Sequence, residues 1–221
     1  MLDSAMPRLF HPNVPGNTVF YLVPGTDGST VPGERLVNWG AYVAMPAEEV
    51  TTFMIDQSGI PLIGSIPPGQ MQPDQEDALK ALMAAELPDF YADVVARTVD
   101  TSAQLIYTAR IPAYHRGHML LVGDAGSIAP PFTGSGVFKG YYNVSGLIDS
   151  LRRHPDLEVA LSEWDAMQVQ LANGLLALGE QMEKALIWNP LDLATADATS
   201  TDAWWSAAVT YPKYFDLESH K

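Results

Sequence analysis

The segment 116–140 combines an acidic side chain, paired prolines and closely spaced glycines. We predict that a buried strand ends at Gly123 and Asp124, and that a proline-fixed loop then leads to the N-terminus of a helix. The Asp124 carboxylate can accept hydrogen bonds from a polyol. Gly134 and Gly136 let the backbone approach a flat ring, and the helix N-terminus directs N–H groups at an electron-rich edge. The segment therefore predicts a site for an uncharged or anionic polar ligand, such as an aromatic cofactor.

This segment resembles the flavin-dependent aromatic hydroxylases of the para-hydroxybenzoate hydroxylase type. In that family a strand ends in Gly-Asp, followed by Ala, a proline-containing loop and Gly-x-Gly at a helix start, which corresponds here to Gly123-Asp124-Ala125, Pro130-Pro131 and Gly134-Ser135-Gly136. The resemblance implies that FAD is the cofactor, with Asp124 on its ribityl chain and Pro131 near the flavin. It also implies that the backbone from Gly134 to Val137 contacts the pyrimidine end of the ring. The cofactor-binding residues implied in this way are Gly123, Asp124, Pro131, Gly134, Ser135, Gly136 and Val137.

One position departs from the family pattern. Ser127 stands where many members have histidine, so the role of that histidine does not carry over to this chain.

Two upstream runs, residues 21–25 and 35–39, are similar to the substrate-domain sheet of the branch that hydroxylates pyridine-type rings such as 2,6-dihydroxypyridine. The resemblance implies a small aromatic substrate. Polar residues of the predicted strands are candidates to line a substrate cavity over the flavin, although a solvated sheet face has the same sequence pattern. These substrate-binding candidates are Asn38, Tyr42, Tyr107 and Arg110.

A second motif of the family is missing from the sequence. The FAD pyrophosphate is held by Gly-x-Gly-x-x-Gly in a βαβ unit, whereas Gly134-Ser135-Gly136 continues as Val-Phe-Lys-Gly. The resemblance therefore covers only the second half of a full-length enzyme, without its N-terminal dinucleotide-binding half. We expect the isolated chain to bind FAD weakly or not at all. The family implies NAD(P)H as reductant, and a second chain carrying the nucleotide-binding half is an expected partner.

Some candidate residues also have an ordinary structural interpretation. His115 and His118 are three residues apart, but no acidic third ligand lies nearby, so surface or capping histidines are favoured over a metal site. Asp124 can instead cap the turn that follows it, but its position after the predicted buried strand and before Gly-x-Gly favours the flavin interpretation. The motifs Gly-x-Ser-x-Gly and Gly-x-x-x-x-Gly-Lys do not occur, which leaves hydrolase and nucleoside-triphosphatase functions without support.

Hydrophobic periodicity defines the elements that position these residues. Alternation predicts strands, and apolar residues at three-and-four spacing predict helices. Pro88 interrupts the helical pattern of residues 74–98, which predicts two short helices there. The apolar stripe of the longest helix indicates core packing rather than a cofactor site. The predicted strands are residues 17–23, 36–45, 50–55, 104–111 and 118–122, and the later helices are residues 136–153 and 157–186.

These elements predict an α+β fold, with a mostly antiparallel sheet covered by helices on one face. A strand-loop-helix remnant of the FAD-binding domain follows this sheet. We expect residues 1–112 to form the substrate-binding-like part and residues 113–187 the flavin-contact segment with its helices. Residues 188–221 are expected to form an irregular tail whose aromatic cluster packs on the body or on a partner.

The composition excludes several classes of partner. The chain has 221 residues, a net charge of −14 and no cysteine. Nucleic acid and anionic membranes are poor partners for an acidic surface, and disulfides and thiolate metal sites are absent. The start of the sequence has no signal-peptide pattern, and no long apolar run occurs, so the cytoplasm is the default location. Apolar surface that relatives cover with their other half predicts association, including a homo-oligomer.

Three functions remain open from sequence. The leading hypothesis is a component or partial form of an FAD-dependent monooxygenase that hydroxylates an aromatic or N-heteroaromatic ring. The second is a non-redox binding protein, or an isomerase or cyclase, derived from the substrate domain. The third is an inactive, truncated gene product.

Overall fold

The computed structural model describes residues 6–210, and the chain divides into two compact units. Unit 1 runs through Leu105 and includes Leu186–Pro190, whereas unit 2 comprises Ile106–Ala185 and the chain from Leu191 onward. All strand pairs are antiparallel, and helices make up much of both units. The fold class is α+β, as the sequence predicts.

Unit 1 is built on a three-stranded sheet of β1 (Arg8–Phe10), β2 (Gly16–Val23) and β3 (Leu36–Val43), in that order. Its register sets Phe20 opposite Trp39 and Asn17 opposite Tyr42. Because side chains alternate along a strand, the first pair lies on one face of the sheet and the second pair on the other. The strands predicted at residues 17–23 and 36–45 are confirmed as β2 and β3. The structure adds one strand, β1, that the sequence analysis did not predict.

Two helices cover the apolar face of this sheet. They are α2 (Pro73–Glu86) and α3 (Asp89–Ala96), and Pro88 is the N-cap of α3, so the predicted break is confirmed. The rings of Phe20 and Tyr91 lie with centroids 4.7 Å apart at the centre of the packing. The buried cluster consists of Phe20, Met83, Leu87, Tyr91 and Val95.

The predicted strand at residues 50–55 is wrong, because residues 50–53 belong to helix α1 (Ala47–Phe53), and Ile55 forms an isolated β-bridge with Pro61. The run of Val50 and two threonines favours a strand locally. Pro46 precedes the helix, however, and Glu48 and Glu49 in its first turn interact favourably with the helix dipole. The remaining strands of unit 1 are β4 (Ser65–Ile66) and β5 (Ala103–Gln104), which pair with each other.

The short strands of unit 2 form two separate pairs. β6 (Ala109–Arg110) pairs with β9 (Ser127–Ile128), and β7 (His115–Arg116) pairs with β8 (Met119–Leu120). The strand predicted at residues 104–111 is therefore reduced to β5 and β6. The buried strand predicted at residues 118–122 is reduced to β8, and it is not buried, since Met119 is 72% exposed. Gly117 has φ +57° and turns the chain tightly between β7 and β8, so the ladder is only two residues long.

Three helices complete unit 2. They are α4 (Gly136–Arg153), α5 (Leu157–Glu183) and α6 (Ala198–Val209), and a π-helical turn, Lys184–Trp188, follows α5. The α4 prediction is confirmed with the same bounds. The predicted core stripe of α5 is confirmed at Trp164, Leu175, Leu178 and Met182, which are buried. No helix among residues 6–210 has both the length and the apolar character needed to cross a membrane.

The irregular tail predicted for residues 188–221 is wrong for its central part, which is α6. Asp197 and Ser200 form a reciprocal capping box that starts this helix. Trp204 and Trp205 of the predicted aromatic cluster lie on α6 with ring centroids 6.0 Å apart. The other three members, Tyr211, Tyr214 and Phe215, lie outside the described residues.

Candidate functional site

The predicted cofactor segment begins with a tight turn at Gly123–Ala125. Gly123 has φ +60°, a conformation that glycine adopts without steric cost. Its N–H donates a hydrogen bond to Oδ1 of Asn143, at 2.8 Å, so α4 holds the turn from behind. The Asp124 side chain, in contrast, is 77% exposed. The turn therefore has one anchored side and presents a carboxylate on the other.

A buried lysine of α4 holds this carboxylate. The Lys139 side chain is 3% exposed, and its Nζ donates to Oδ1 of Asp124 at 2.8 Å and also to the carbonyl oxygen of Ser127. A buried ammonium needs such partners, because desolvating an unpaired charge is costly. The turn has no side-chain cap, so the interpretation of Asp124 as a cap is wrong and its structural partner is Lys139.

The chain after Asp124 is fixed by a second set of buried contacts. The Tyr114 hydroxyl donates to Oγ of Ser127 at 2.9 Å, and burial raises the pKa of this hydroxyl, which therefore stays protonated. Gly126 lies under the Tyr114 ring, so closely that an added Cβ would be 2.2 Å from a ring carbon. Asp165 of α5 accepts from the N–H groups of Tyr114 and His115. Ser127, the position that departs from the family pattern, is thus a buried structural residue.

The proline loop delivers the chain to the N-terminus of α4. Pro130 is buried against Gly179 of α5, where an added Cβ would lie 2.5 Å from the proline ring. Pro131–Thr133 forms one 3₁₀ turn, and Gly134 follows it with φ +62°. The hydroxyls of Thr133 and Ser135 are hydrogen-bonded to each other at 2.6 Å.

The N-terminus of α4 is sterically open. The N–H of Lys139 donates to the Ser135 carbonyl at 2.8 Å, so the N–H groups of residues 136–138 precede this hydrogen bond and point outward from the helix end. A Cβ added to Gly134 or Gly136 would meet no atom within 4 Å. Space and donors are therefore available for the edge of a flat ring, and Asp124 is available for a polyol. These groups fit the ring and ribityl parts of a flavin.

The four predicted substrate residues are divided between the units. Asn38 and Tyr42 lie on the same face of the unit 1 sheet, and Gly40 between them leaves that face open, since an added Cβ would meet nothing within 4 Å. Tyr107 and Arg110 belong to unit 2 and are exposed, and Arg110 lies 3.8 Å from Glu180.

The face that carries Tyr42 also holds two residues that the sequence analysis missed. Arg8 donates to Oδ1 of Asn17 at 2.6 Å, and the fully buried Asn17 donates to the Leu186 carbonyl at 3.1 Å. Burial raises the pKa of Tyr42 and lowers that of Arg8, while each group partly offsets the shift of the other. The pairing register of the two predicted strands would have identified Asn17, because antiparallel pairing sets Asn17 opposite Tyr42.

The two histidines considered as metal ligands lie on the β7–β8 hairpin. Nδ1 of His115 lies 3.5 Å from the Gly117 carbonyl oxygen. Within residues 6–210, no three His, Asp or Glu side chains meet in an arrangement that could hold a metal ion. His118 instead borders an apolar groove of about 200 Å³, which is otherwise lined by Leu120, Leu147, Leu151, Leu157 and Leu161.

Comparison with known sequences gives one partial match. A family model described as FAD binding domain-like matches residues 7–107, which is less than half of the chain. That match ends before Gly123, so it does not include the predicted cofactor segment. No curated protein matches the chain.

Comparison with solved structures identifies a shared fold. The 2,6-dihydroxypyridine-3-hydroxylase from Arthrobacter nicotinovorans matches 81% of this chain and 45% of its own, with a TM-score of 0.71 and 19% identity. PqsL, a probable FAD-dependent monooxygenase from Pseudomonas aeruginosa, matches 84% of this chain and 46% of its own, with a TM-score of 0.53 and 20% identity. HpxO from Klebsiella pneumoniae, complexed with FAD and uric acid, matches 94% of this chain and 51% of its own, with a TM-score of 0.50 and 17% identity.

The chain thus spans about half the length of the solved structures that it matches. At these identities the likeness establishes the fold. This chain therefore shares its fold with about half of the 2,6-dihydroxypyridine-3-hydroxylase structure.

Proposed function

We propose that the chain forms the part of an FAD-dependent monooxygenase that contacts the flavin ring and the substrate, and that the substrate is an aromatic or N-heteroaromatic ring. The observation that carries this proposal is the segment from Gly123 to Val137. It presents an exposed carboxylate and an open helix N-terminus on one side, while buried contacts fix it on the other. The shared fold with a hydroxypyridine hydroxylase supports it.

Each part of the segment has a defined task in this proposal. Asp124 accepts a hydrogen bond from a ribityl hydroxyl. The hydrogen bond from Nζ of Lys139 to Oδ1 of Asp124 holds the carboxylate in place. The N–H groups of residues 136–138 donate to the pyrimidine edge of the ring, and the helix dipole favours electron density there. A flavin held by these residues would supply the oxygen chemistry that hydroxylates an aromatic ring, with NAD(P)H as the proposed reductant.

The substrate is proposed to bind on the open sheet face of unit 1. Tyr42 has a raised pKa, so at neutral pH it is a hydroxyl that can donate a hydrogen bond to a ring oxygen or nitrogen. Asn38 offers an amide donor and acceptor on the same face. Tyr107 and Arg110 remain proposed substrate contacts from unit 2, with Arg110 suited to an anionic ring substituent.

The proposal requires a nucleotide-binding unit from elsewhere, because the sequence lacks the Gly-x-Gly-x-x-Gly motif for the pyrophosphate. The isolated chain is therefore expected to recognise the flavin end of FAD and not its adenosine end. Titration with FMN, FAD and ADP, followed by flavin fluorescence and calorimetry, tests this expectation. FMN and FAD should bind with similar weak affinity, and ADP should not bind.

Two variants make this titration specific. Asp124→Asn keeps an acceptor for Lys139 but removes the charge, and should weaken FMN binding. Asp149→Asn removes an exposed carboxylate further along α4 and should leave FMN binding unchanged. Flavin binding that is absent at the solubility limit, or that is insensitive to Asp124→Asn, would contradict the proposed function.

A second candidate function rests on a separate observation. The sheet face that carries Arg8, Asn17 and Tyr42 lies within unit 1 alone, so it does not depend on the flavin segment. A non-redox protein that binds a small aromatic ligand would use this face. Titration with 2,6-dihydroxypyridine in the absence of flavin distinguishes the two functions, because only this candidate requires tight flavin-independent binding.

A further inference from the structure

Helix α4 has an inverted distribution of polar and apolar side chains. The residues that it buries are polar: Lys139, Asn143 and Ser150 are 3%, 0% and 0% exposed. Two of them contact α5, because Asn143 donates to Gln168 at 2.7 Å and Ser150 donates to Glu163 at 2.9 Å. The helix thus packs on its own unit through hydrogen bonds.

The opposite face of α4 is an exposed apolar stripe. Val137, Tyr141, Val144, Ile148 and Leu151 are 84%, 68%, 46%, 43% and 44% exposed. Their spacing alternates between four and three residues, the period at which two helices pack side by side through an apolar seam. Exposed contiguous apolar surface on this scale marks an interaction site.

We propose that this stripe is the interface through which two copies of the chain associate, with their α4 helices antiparallel. A second helix of the same sequence matches the four-and-three spacing along the whole stripe. Val144 is the middle residue, so it lies beside its own counterpart at the two-fold axis. Tyr141 then meets Ile148, and Val137 meets Leu151, at equivalent positions on both sides of that axis.

The antiparallel direction follows from size and charge. A parallel pair would place the two Tyr141 rings against each other and bring together the Arg152 and Arg153 side chains of both copies. The antiparallel pair sets Tyr141 against the smaller Ile148 and Leu151 against the smaller Val137, and it separates the arginines by the length of the helix. It also opposes the two helix dipoles, which is the favourable arrangement.

The charge along the stripe and the area that it would bury both permit a second copy of the chain to bind there. Two charged residues of α4 lie within the range of the stripe: Lys139, which is buried, and the exposed Asp149, which the antiparallel pairing sets near residue 139 of the other copy and not near a carboxylate. Two chains of net charge −14 can therefore meet along this seam without opposing carboxylates. Burying the stripe and the adjacent Phe138 in both copies would cover on the order of 1,200 Å², the lower end of the range for specific interfaces.

This inference goes beyond the proposed function and does not require flavin. The proposed flavin contact at Val137 is made by its backbone, whereas its side chain joins the seam. A variant can therefore lose association and retain flavin binding. Another variant can lose flavin binding and still associate.

The absence of cysteine from the chain gives a direct test. In Val144→Cys the introduced thiol is unique, and the antiparallel seam places it beside its counterpart, within the distance that a disulfide requires. Mild oxidation should convert most of this variant into a covalent dimer. The matched control is Val159→Cys, an equally exposed valine on α5, which should remain uncrosslinked under the same conditions.

Light scattering on size-exclusion chromatography provides the second measurement. The unmodified 221-residue chain should have twice the monomer mass at micromolar concentration, and Val144→Asp should be monomeric with an unchanged circular dichroism spectrum. Val159→Asp should remain dimeric. Added salt should strengthen the dimer, because it screens repulsion between two acidic chains and the seam contains no ion pairs. A monomeric chain, or a dimer that Val144→Asp leaves intact and Val144→Cys does not crosslink, would overturn the proposal.

Discussion

The sheet of unit 1 buries its apolar face, whereas helix α4 of unit 2 exposes its apolar face. The sheet buries Phe20 completely beneath α2 and α3 and carries Arg8, Asn17 and Tyr42 on the other face. Helix α4 buries Lys139 and Asn143 and exposes its apolar stripe. Unit 1 therefore completes a core of its own. Unit 2 uses the buried side of α4 to hold the Gly123 turn and leaves the apolar side available for a partner.

Two phenylalanines give the largest expected effect and test this contrast directly. Phe20→Ala removes a fully buried ring from the unit 1 core and should lower the free energy of unfolding by about 3–5 kcal/mol. Phe138→Ala removes a ring that is 64% exposed on α4 and should change it by less than about 0.5 kcal/mol at low protein concentration. Urea unfolding of both variants measures the difference, and comparable losses would contradict the contrast.

The next largest effect concerns the Asp124–Lys139 pair, whose members differ in burial. Asp124→Ala leaves a buried ammonium without its carboxylate and should cost about 2–3 kcal/mol. Lys139→Met removes the buried charge and leaves only an exposed carboxylate, so it should cost less than about 1.5 kcal/mol.

The double variant sharpens this prediction. Adding Lys139→Met to Asp124→Ala should restore much of the lost stability, because no charge is then left buried. Chemical denaturation of the three variants gives the coupling between the two side chains. Additive losses would show that the pair does not act as a unit.

Helical periodicity predicted much of the fold but not the orientation of α4. The break at Pro88 and the bounds of α4 follow from local sequence. Spacing also groups Lys139, Asn143 and Ser150 on one face of α4. Spacing alone does not show which face of α4 is covered. The usual preference for burying apolar residues would have predicted that the apolar stripe is buried, whereas the structure exposes it. Lys139 was missed as the partner of Asp124 for this reason.

Strand length and burial were harder to predict than helices. The apolar run at residues 118–122 indicates a buried strand only if other elements cover it, and the structure leaves Met119 and Leu121 exposed. The β-branched run from Val50 was outweighed by acidic residues in the first turn of α1. Of the candidate site, the Gly123–Val137 segment was identified from spacing, whereas its buried supports come from α4, α5 and Tyr114.

A smaller effect is expected on the polar face of unit 1. Tyr42→Phe removes one hydroxyl and should weaken binding of 2,6-dihydroxypyridine about fivefold, the loss of one neutral hydrogen bond. Tyr142→Phe, on α4 of unit 2, is the matched control and should have no effect. Calorimetric titration of each variant measures the change, and equal affinity for Tyr42→Phe and the unmodified chain would remove Tyr42 from the site.

The smallest effect is a pH dependence from His11 in unit 1. Burial lowers the pKa of His11, its Nε2 contacts Oγ1 of Thr18 at 2.8 Å, and its Nδ1 has no hydrogen-bond partner. The unfolded chain therefore binds this proton more readily than the folded one. This contribution to stability is fully present above the unfolded pKa of about 6.5 and is lost as the pH falls below it.

His11→Gln should flatten the decline of stability below pH 6.5, because glutamine has no proton to bind in that range. His118→Gln, an exposed histidine of unit 2, serves as the control. Thermal unfolding between pH 5 and 8 reports the slopes, and identical slopes in His11→Gln and the unmodified chain would assign the pH dependence to other groups.

The proposed contact between the segment from Gly123 to Val137 and the ring end of a flavin can be measured residue by residue. In an NMR titration of isotope-labelled chain with FMN, each backbone N–H reports its own environment. We expect the largest shifts at residues 124 and 134–138, and we expect them to be lost in Asp124→Asn. Shifts confined to the apolar groove at His118, or no shifts at saturating FMN, would contradict it.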